Sequence, residues 1–370
     1  MLCVARELAL DGRSVGVIGG SRWGRVILGC LDRVLPADVG VWVVTPRNAG
    51  ATSRWLTARD WARRWGVAES LPLATAMGAG PTLVVVANEA RDHVRSAEEA
   101  LAVGHRVMCE KPIALRVDEA EHLVALSCSL ERPLLASNVY LFASYLTGFA
   151  HQVVLLGPPH RIQVDWADPE SEVRYGEKKS FDLSLDVIAD VLPHVVSILY
   201  LLGVKNLVAR RVVSVGGGGA RVVLEMAGDQ VVVRIRLERN ARRRRRTINA
   251  DTDSGSISLD FTAEPGLITD RGGSVVAACS NWDRLPSPMS QMLETAWRQH
   301  AERSFDQRLS FRHALRACHL HSQLLDRYEV LRARSLRHLT SDSLDSVGTG
   351  FGRGEIEWIS DPTSGVGEGK

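Results

Sequence analysis

The sequence predicts an α/β chain, with a doubly wound parallel sheet in its N-terminal half and then an α+β domain built on a large, mainly antiparallel sheet. Three observations carry this. Up to about residue 137, short apolar runs without alternation are interleaved with helical segments, the pattern of strands buried on both faces. Beyond Gly148 the strand-like stretches lengthen and alternate in polarity, which suits a sheet with one covered face. The length of 370 residues suggests two cores rather than one. The expected organisation is a dinucleotide-binding domain over 1–137, a substrate-binding and oligomerisation domain over 138–338, and a mobile tail over 339–370, rich in Gly, Ser, Thr and Asp.

In the first half, Ser14 to Ile18 is a strand that ends at Gly19-Gly20. Ser21 to Leu35 reads as a helix stopped by Pro36. Val39 to Val44 is a second strand, Arg54 to Trp65 a helix, and Thr82 to Val86 a third strand. Asp92 to Val103 is a helix and Arg106 to Cys109 a fourth strand. A helix over Val117 to Ser129 and a strand near Leu134 to Ser137 close the domain. In the second half, strands are expected at Arg161 to Trp166, Leu207 to Val215, Arg221 to Glu225, Gln230 to Leu237, Arg246 to Asn249 and Ser256 to Phe261. Helices near Leu183 to Leu202, Ser290 to Arg303 and Phe311 to Arg334 would cover one face. Gly216 to Gly219 reads as a hairpin turn, because no helix follows it. Glu355 to Ile359 could form a stray strand in the tail.

Composition narrows the function. A formal net charge of +2, with 45% hydrophobic and 24% charged residues, is a globular balance with no global reason to bind nucleic acid or an acidic partner. The five arginines at Arg242 to Arg246 could mark a nucleic-acid patch. They follow Arg234, Arg236 and Arg239 on an alternating strand, and an exposed strand face plus its turn accounts for them as well. No run of about 18 apolar residues indicates a membrane span, and Met1 to Leu10 lacks a signal-peptide apolar region, so a cytoplasmic protein is expected. The six cysteines form no C-x-x-C pair, which argues against zinc and disulfides. His319 and His321 point to different faces of a helix, so with His313 they make no metal site.

The segment Val15-Gly16-Val17-Ile18-Gly19-Gly20-Ser21-Arg22-Trp23-Gly24 sits at a strand-to-helix turn. A G-x-G-x-x-G fingerprint would place glycines at 19, 21 and 24. Ser21 replaces the second, but it is small and can donate a hydrogen bond. Gly24 allows close helix–strand packing, and the helix N-terminus offers free N–H groups to a pyrophosphate. Gly19, Gly20, Ser21, Arg22, Trp23 and Gly24 are therefore expected in a Rossmann-type nucleotide site. An acidic residue at the end of the second strand would select NAD. This chain has Thr45-Pro46-Arg47, with no carboxylate before Asp60. Thr45 and Arg47 can both bind a phosphate, so NADP is expected and NAD is the weaker choice.

The stretch from Thr82 to Leu115 reads TLVVVANEARDHVRSAEEALAVGHRVMCEKPIAL. With the nucleotide turn, it resembles the glucose–fructose oxidoreductase/inositol dehydrogenase (Gfo/Idh/MocA) family, whose pattern is a His-bearing helix followed by "aGkhVxxEKPla". His93, Gly104 and Glu110-Lys111-Pro112 fall in register, and Asn138 to Phe142 looks like the family's crossover strand. Arg246 to Asp260 looks like its late strands, and Pro288 to Leu325 like its closing helices. The resemblance implies NAD(P)-dependent hydride transfer on a sugar, cyclitol or related small carbonyl compound, with Asn88, His93 and Glu110 near the nucleotide. It assigns Lys111 to bind and polarise the reacting oxygen. The family's D-x-G-x-H motif matches Asp190 to His194 and makes His194 the general acid/base, with Asp190 a nearby partner of the substrate or of the histidine.

The residues themselves agree. Asp182, Asp186, Asp190 and His194 are four apart and, if helical, share one face. Histidine titrates near neutral pH, and a lysine beside a nicotinamide can stabilise an alkoxide. Leu192 replaces the family's glycine, and Pro193 removes a backbone donor, which bears on the substrate more than on the chemistry. Asp165, Trp166, Arg174, Tyr175 and Lys178 precede the helix and could line the pocket, with Tyr175 and Asp186 the substrate contacts. The substrate remains open, an imine of secondary metabolism included. Two other functions stay open: a reaction without net redox on a tightly held nicotinamide, and a catalytically inactive sensor that binds NADP or a sugar. An uncovered face of the long second sheet would make a homodimer or homotetramer.

Overall fold

The structure, a computed structural model, describes residues 14–59, 65–70, 82–174, 177–178, 181–182 and 184–345. Six strands make the first sheet: β1 (Ser14–Ile18), β2 (Gly40–Val44), β3 (Trp65–Ala68), β4 (Leu83–Val86), β5 (Arg106–Cys109) and β6 (Leu134–Ala136). All are parallel, in the order β3-β2-β1-β4-β5-β6. Every residue of β1, β2 and β4 is buried, which is why these strands read as unbroken apolar runs. Helices α1 (Arg22–Val34), α2 (Ala49–Thr57), α3 (His93–Ala102) and α4 (Val117–Ser129) connect them. The strand order reverses between β1 and β4, where such sheets open a ligand cleft at their carboxyl ends.

Two local expectations fail here. The helix expected to run to Trp65 ends at Thr57, and Trp65 opens the edge strand β3. Four residues of mixed burial are too few for a period to show. Asn138 to Phe142 is not a strand. Val139–Phe142 form a 3₁₀ turn that leads into an unforeseen helix, α5 (Ser144–Leu156).

The second sheet has eight main strands: β7 (Pro159–Pro169), β10 (Val208–Gly216), β11 (Arg221–Ala227), β12 (Val232–Ala241), β13 (Arg245–Thr252), β14 (Gly255–Asp260), β15 (Leu267–Asp270) and β16 (Val275–Ala277). The two-residue strands β8 (Val173–Arg174) and β9 (Glu177–Lys178) pair apart from it. Its order is β10-β11-β12-β7-β13-β14-β15-β16. It is antiparallel as expected, except that β12 runs parallel to β7. Gly216 to Gly219 is indeed the turn between antiparallel β10 and β11, with positive φ at Gly217 to Gly219.

Helix α5, helix α6 (Val187–Leu201) and part of α8 (Phe311–Asp345) cover one face of this sheet. Phe149, Ile188, Leu192, Leu320 and Leu324 pack there on Val164, Ile235 and Ile248. Helix α7 (Pro288–Glu302) instead returns to the first sheet, where Met289, Met292 and Leu293 meet Val15, Ile27 and Leu135. The first turns of α8 do the same through Phe311 and Ala314. One helix thus packs on both sheets, and it continues to Asp345, past the expected start of a tail at 339. Residues 346–370, with the stray strand suggested there, lie outside the described residues.

Gly16 pairs in register with Trp42, and a Cβ on Gly16 would collide with the Trp42 indole, itself 3% exposed. Gly16→Ala should therefore overpack the first core and cost about 1–3 kcal/mol. Denaturant unfolding should show a lower midpoint with an unchanged slope.

Candidate active site

The turn after β1 is built for close approach. Gly19 has φ +131° and a Cβ there would lie 2.6 Å from the Ala87 carbonyl oxygen, while one on Gly24 would strike the Gly19 carbonyl. A Cβ on Gly20 would lie 2.6 Å from the Thr45 hydroxyl. Ser21 caps α1 without using its side chain, which leaves its hydroxyl and the first N–H groups of the helix for a ligand. Gly19, Gly20, Ser21, Thr45, Arg47 and Asn88 line one groove. Asn88 donates to the Ser96 hydroxyl at 2.8 Å, but its buried Oδ1 has no partner among the described residues. An orphaned buried acceptor in a groove of tight backbone fits a dinucleotide that brings its own donors. Arg47 sits at the rim, with its side chain 71% exposed and 3.4 Å from the Glu89 carboxylate.

Arg22 and Trp23 face a second, neighbouring cavity, which Asn88 also lines. Glu110 lies in its wall, 3% exposed, and accepts from the Ser137 hydroxyl at 2.6 Å, from the Lys111 N–H at 3.3 Å and from Trp23. Burial pushes its carboxyl up despite these bonds. His93 has Nδ1 2.7 Å from the Pro112 carbonyl and Nε2 3.3 Å from that of Asn88. It ties the turn after β4 to the turn after β5, and burial lowers its pKa. The polar atoms of Glu110 and His93 are thus engaged by the protein.

Lys111 follows the end of β5 and reaches out of the first domain. Its Nζ donates to the Asp190 carboxylate at 2.5 Å and to the Asp190 carbonyl at 2.9 Å. Asp190 stands in the first turn of α6, whose start is fixed by Asp186. That carboxylate accepts from the N–H groups of Ile188 and Ala189, both at 2.8 Å, as an N-cap. The helix therefore begins at Val187, not at Leu183, and Asp182 precedes it. Asp182, Asp190 and His194 still line the cavity. Asp186 does not: it turns to α8, where its carboxylate meets His321 Nε2 at 2.8 Å. The expected substrate role of Asp186 is accordingly replaced by a structural one. Tyr175 falls outside the described residues, as do the side chains of Arg174 and Lys178. Of the other residues expected to line the cavity, Trp166 does, whereas Asp165 lies 3.3 Å from Arg236.

His194 lies with its ring near-parallel to Trp166, centroids 5.6 Å apart, and edge-on to Tyr140 at 4.9 Å. Burial, then the charges of Lys111 and Arg246, hold it well below the usual histidine range. It is a neutral imidazole at neutral pH.

The arginine-rich segment is not simply an exposed face. Arg246 is 2% exposed; it donates to the Asp168 carboxylate and the Tyr140 hydroxyl, both at 2.6 Å, and its guanidinium lies 3.9 Å from the Trp166 ring centre. Arg239 donates to Asp190 at 3.2 Å, and Arg244 sits between Glu172 and Glu264. The sequence reading missed Tyr140, Asp168, Arg239 and Arg246. The signal was present for the three charged ones. Asp168 keeps the parity of Val164 and Trp166, Arg239 that of Ile235 and Leu237, and Arg246 that of Ile248 and Ala250, all of them buried. The histidines considered for metal are occupied elsewhere: His319 by Glu121, His321 by Asp186, and His313 against Tyr200. Among the described residues no group of side chains could hold a metal ion, and no helix is long and apolar enough to cross a membrane.

Comparison with known proteins agrees with this layout. Residues 13–136 match the GFO_IDH_MocA model, described as the oxidoreductase family with an NAD-binding Rossmann fold. No curated protein matches the sequence. Among solved structures, UDP-N-acetylglucosamine 3-dehydrogenase GnnA from Acidithiobacillus ferrooxidans is 18% identical, with a TM-score of 0.68 over 86% of this chain and 98% of its own. The 3-ketoreductase KijD10 from Actinomadura kijaniata, solved with TDP-benzene and NADP, is 14% identical, with a TM-score of 0.66 over 84% of this chain and 96% of its own. A probable dehydrogenase from Thermotoga maritima is 17% identical, with a TM-score of 0.63 over 85% and 96%. At these identities the likeness is one of fold.

The Asp186 cap gives a stability prediction. Burial raises its pKa, but the His321 contact and the two backbone N–H groups outweigh this, so the folded value lies below the ordinary 3.8. Its contribution is present above the unfolded pKa and is lost as pH falls through the folded one. Asp186→Ala should cost about 0.5–2 kcal/mol near neutral pH. In urea titrations that difference should shrink as the pH is taken down to about 3.

Proposed function

We propose that this chain, whose residues 13–136 match the Gfo/Idh/MocA oxidoreductase model, is an NADP-dependent enzyme of that family acting on a carbonyl or carbinol of a sugar, a cyclitol or a related small molecule. The observation that carries the reading is the Lys111–Asp190 contact in the cavity next to the nucleotide groove, which Asn88 also lines, with His194 in the same cavity. Strand ends and interdomain clefts are where ligands bind in such folds.

A nicotinamide bound beside Lys111 would supply or accept the hydride. The rest is the work of the chain. In reduction, negative charge develops on the substrate oxygen, and the Lys111 ammonium stabilises it and gives it a proton. Asp190 holds that ammonium in place. His194, neutral because it is buried between cations, is suited to hydrogen-bond the same oxygen, and when an alcohol is oxidised the proton returns to Lys111 in its neutral form. This moves the acid role expected for His194 to Lys111. The rings of Trp166, Tyr140 and Phe181, with Asp168 and Arg246, give the cavity apolar faces and paired polar groups, which suits a hydroxylated ring. The names of GnnA, a UDP-N-acetylglucosamine 3-dehydrogenase, and of KijD10, a 3-ketoreductase, support carbonyl–carbinol chemistry of this class.

The cofactor preference rests on Thr45, 4% exposed, and on Arg47 at the groove rim. Exposed ion pairs such as Arg47–Glu89 are weak, so an arriving 2′-phosphate can take the guanidinium. No carboxylate follows Thr45 until Asp60; Glu69, just after β3, also lines the groove. The uncovered face of the second sheet supports the expected homodimer or homotetramer, which light scattering at micromolar concentration would exclude by returning a monomer mass.

Fluorescence titration should show NADPH binding at least about tenfold more tightly than NADH, a difference of about 1.4 kcal/mol. Arg47→Ala should weaken NADPH and leave NADH almost unchanged; equal affinities in the wild type would sink the preference. On a panel of ketosugars, cyclitols, other carbonyls and imines, Lys111→Ala should lower kcat by about 10²-fold or more while NADPH affinity holds. Wild-type turnover in that variant would remove Lys111 from the chemistry.

A further inference from the structure

Arg239 comes from β12 in the second sheet and is almost completely buried, with 9% of its side chain exposed. Its guanidinium spans the start of α6. One Nη donates to the Leu185 carbonyl at 2.8 Å, and the other donates to the Asp186 carbonyl at 3.3 Å and to Asp190 Oδ2 at 3.2 Å. The second oxygen of that carboxylate, Oδ1, takes Lys111 at 2.5 Å. One carboxylate is therefore shared by two cations from different sheets, and only one of them reaches the cavity that would hold substrate. The Phe181 ring, which lines that cavity, lies 5.3 Å from the Arg239 guanidinium.

We propose that Arg239 is a positioning residue for the reaction: by taking one oxygen of Asp190, it limits how tightly that carboxylate holds Lys111 and leaves the lysine able to release its proton. The inference rests on the reading of Lys111 as the acid. A lysine facing an undivided carboxylate inside a partly buried cleft would be held as a closed ion pair. Arg239 weakens such a pair in two ways. It draws negative charge from Asp190, and it holds Oδ2 together with the backbone at residues 185 and 186, so that only Oδ1 is left to face the lysine. Other charged groups around Lys111 do not replace it. Glu110 is buried against Ser137 and Trp23. His93 bridges two carbonyls. His194 is neutral, Asp182 lies in the cavity wall, and Arg246 is engaged by Asp168.

The test uses the full chain as wild type, Arg239→Met and Arg239→Lys. Two readouts are followed across pH: steady-state kcat with NADPH, and the rate at which Lys111 is acylated by acetic anhydride, read by peptide mass. In Arg239→Met, kcat should fall about tenfold or more, and NADPH affinity should stay within about twofold. The alkaline limb of the rate profile and the midpoint of Lys111 acylation should both move to higher pH, because the amine keeps its proton longer beside an undivided carboxylate. Arg239→Lys, which restores a cation, should return the midpoint toward wild type. A folded Arg239→Met variant whose acylation midpoint is unmoved overturns the inference, even if kcat has dropped, because a structural loss alone would do that. Should Arg239→Met not fold, Arg239→Gln against Arg239→Lys makes the same comparison. Acylation needs no turnover. A wild type inactive on every substrate would therefore count against the functional reading, while a shifted midpoint would still support the role of Arg239.

Discussion

Asp190 is held between Lys111, which leaves the end of a strand in the first sheet, and Arg239, which rises from the middle of the second. Three charges partly or wholly removed from water are tolerable only if paired and hydrogen-bonded. Their pairing therefore constrains how the two sheets, and the helix between them, can be placed. The start of α6 is fixed by the same need: Asp186 caps its first N–H groups and is itself held by His321 from α8. Helix α8 packs on both sheets, so one element joins the two cores and reaches the base of the helix that carries Asp190 and His194.

Strand register then decides what surrounds the imidazole. Trp166 pairs with Leu237 on one side and with Arg246 on the other. That register lays the Arg246 guanidinium over the indole ring. Tyr140, placed by the 3₁₀ turn after β6, closes the group through its hydroxyl. His194 thus sits on an aromatic surface between two charged pairs, Lys111–Asp190 and Arg246–Asp168. Each pair brings both signs, so the cavity contains strong local fields without a large net charge. The imidazole, buried and flanked by cations, loses its own charge. This is a case in which the neighbours of a histidine, rather than its residue type, set what it can do.

The first sheet was legible in the sequence because a parallel strand buried on both faces leaves a compositional trace, and the glycines before α1 mark a turn that side chains could not enter. The strand pattern of the second sheet was legible for a related reason. One face is covered, and the period of two survives in β11, β12 and β13. β3 was lost because four residues carry too little pattern, and α5 because the exposed Val154 and Leu155 blur its helical period. Lys111, Asp190 and His194 were reachable through a local motif and a helical spacing, both of which are properties of contiguous chain.

Arg239, Arg246 and Asp168 show where that ends. Each keeps the inward parity of its strand, yet a run of arginines next to a turn reads as a solvated surface, since isolated charges are rarely buried. Their burial becomes affordable only when Asp190, Asp168 and Tyr140, which are 49, 78 and 106 residues away along the chain, arrive beside them. By itself the sequence determined the two-sheet architecture and the glycine turn, which rest on local periodicity, and its resemblance to a family pointed to Lys111, Asp190 and His194 through short local motifs. Only the tertiary structure decided that Asp186 caps a helix, that His194 is uncharged and that three charged residues of the second sheet face inward. Those outcomes depend on partners brought together by folding, and on a loss of solvent that no stretch of sequence contains.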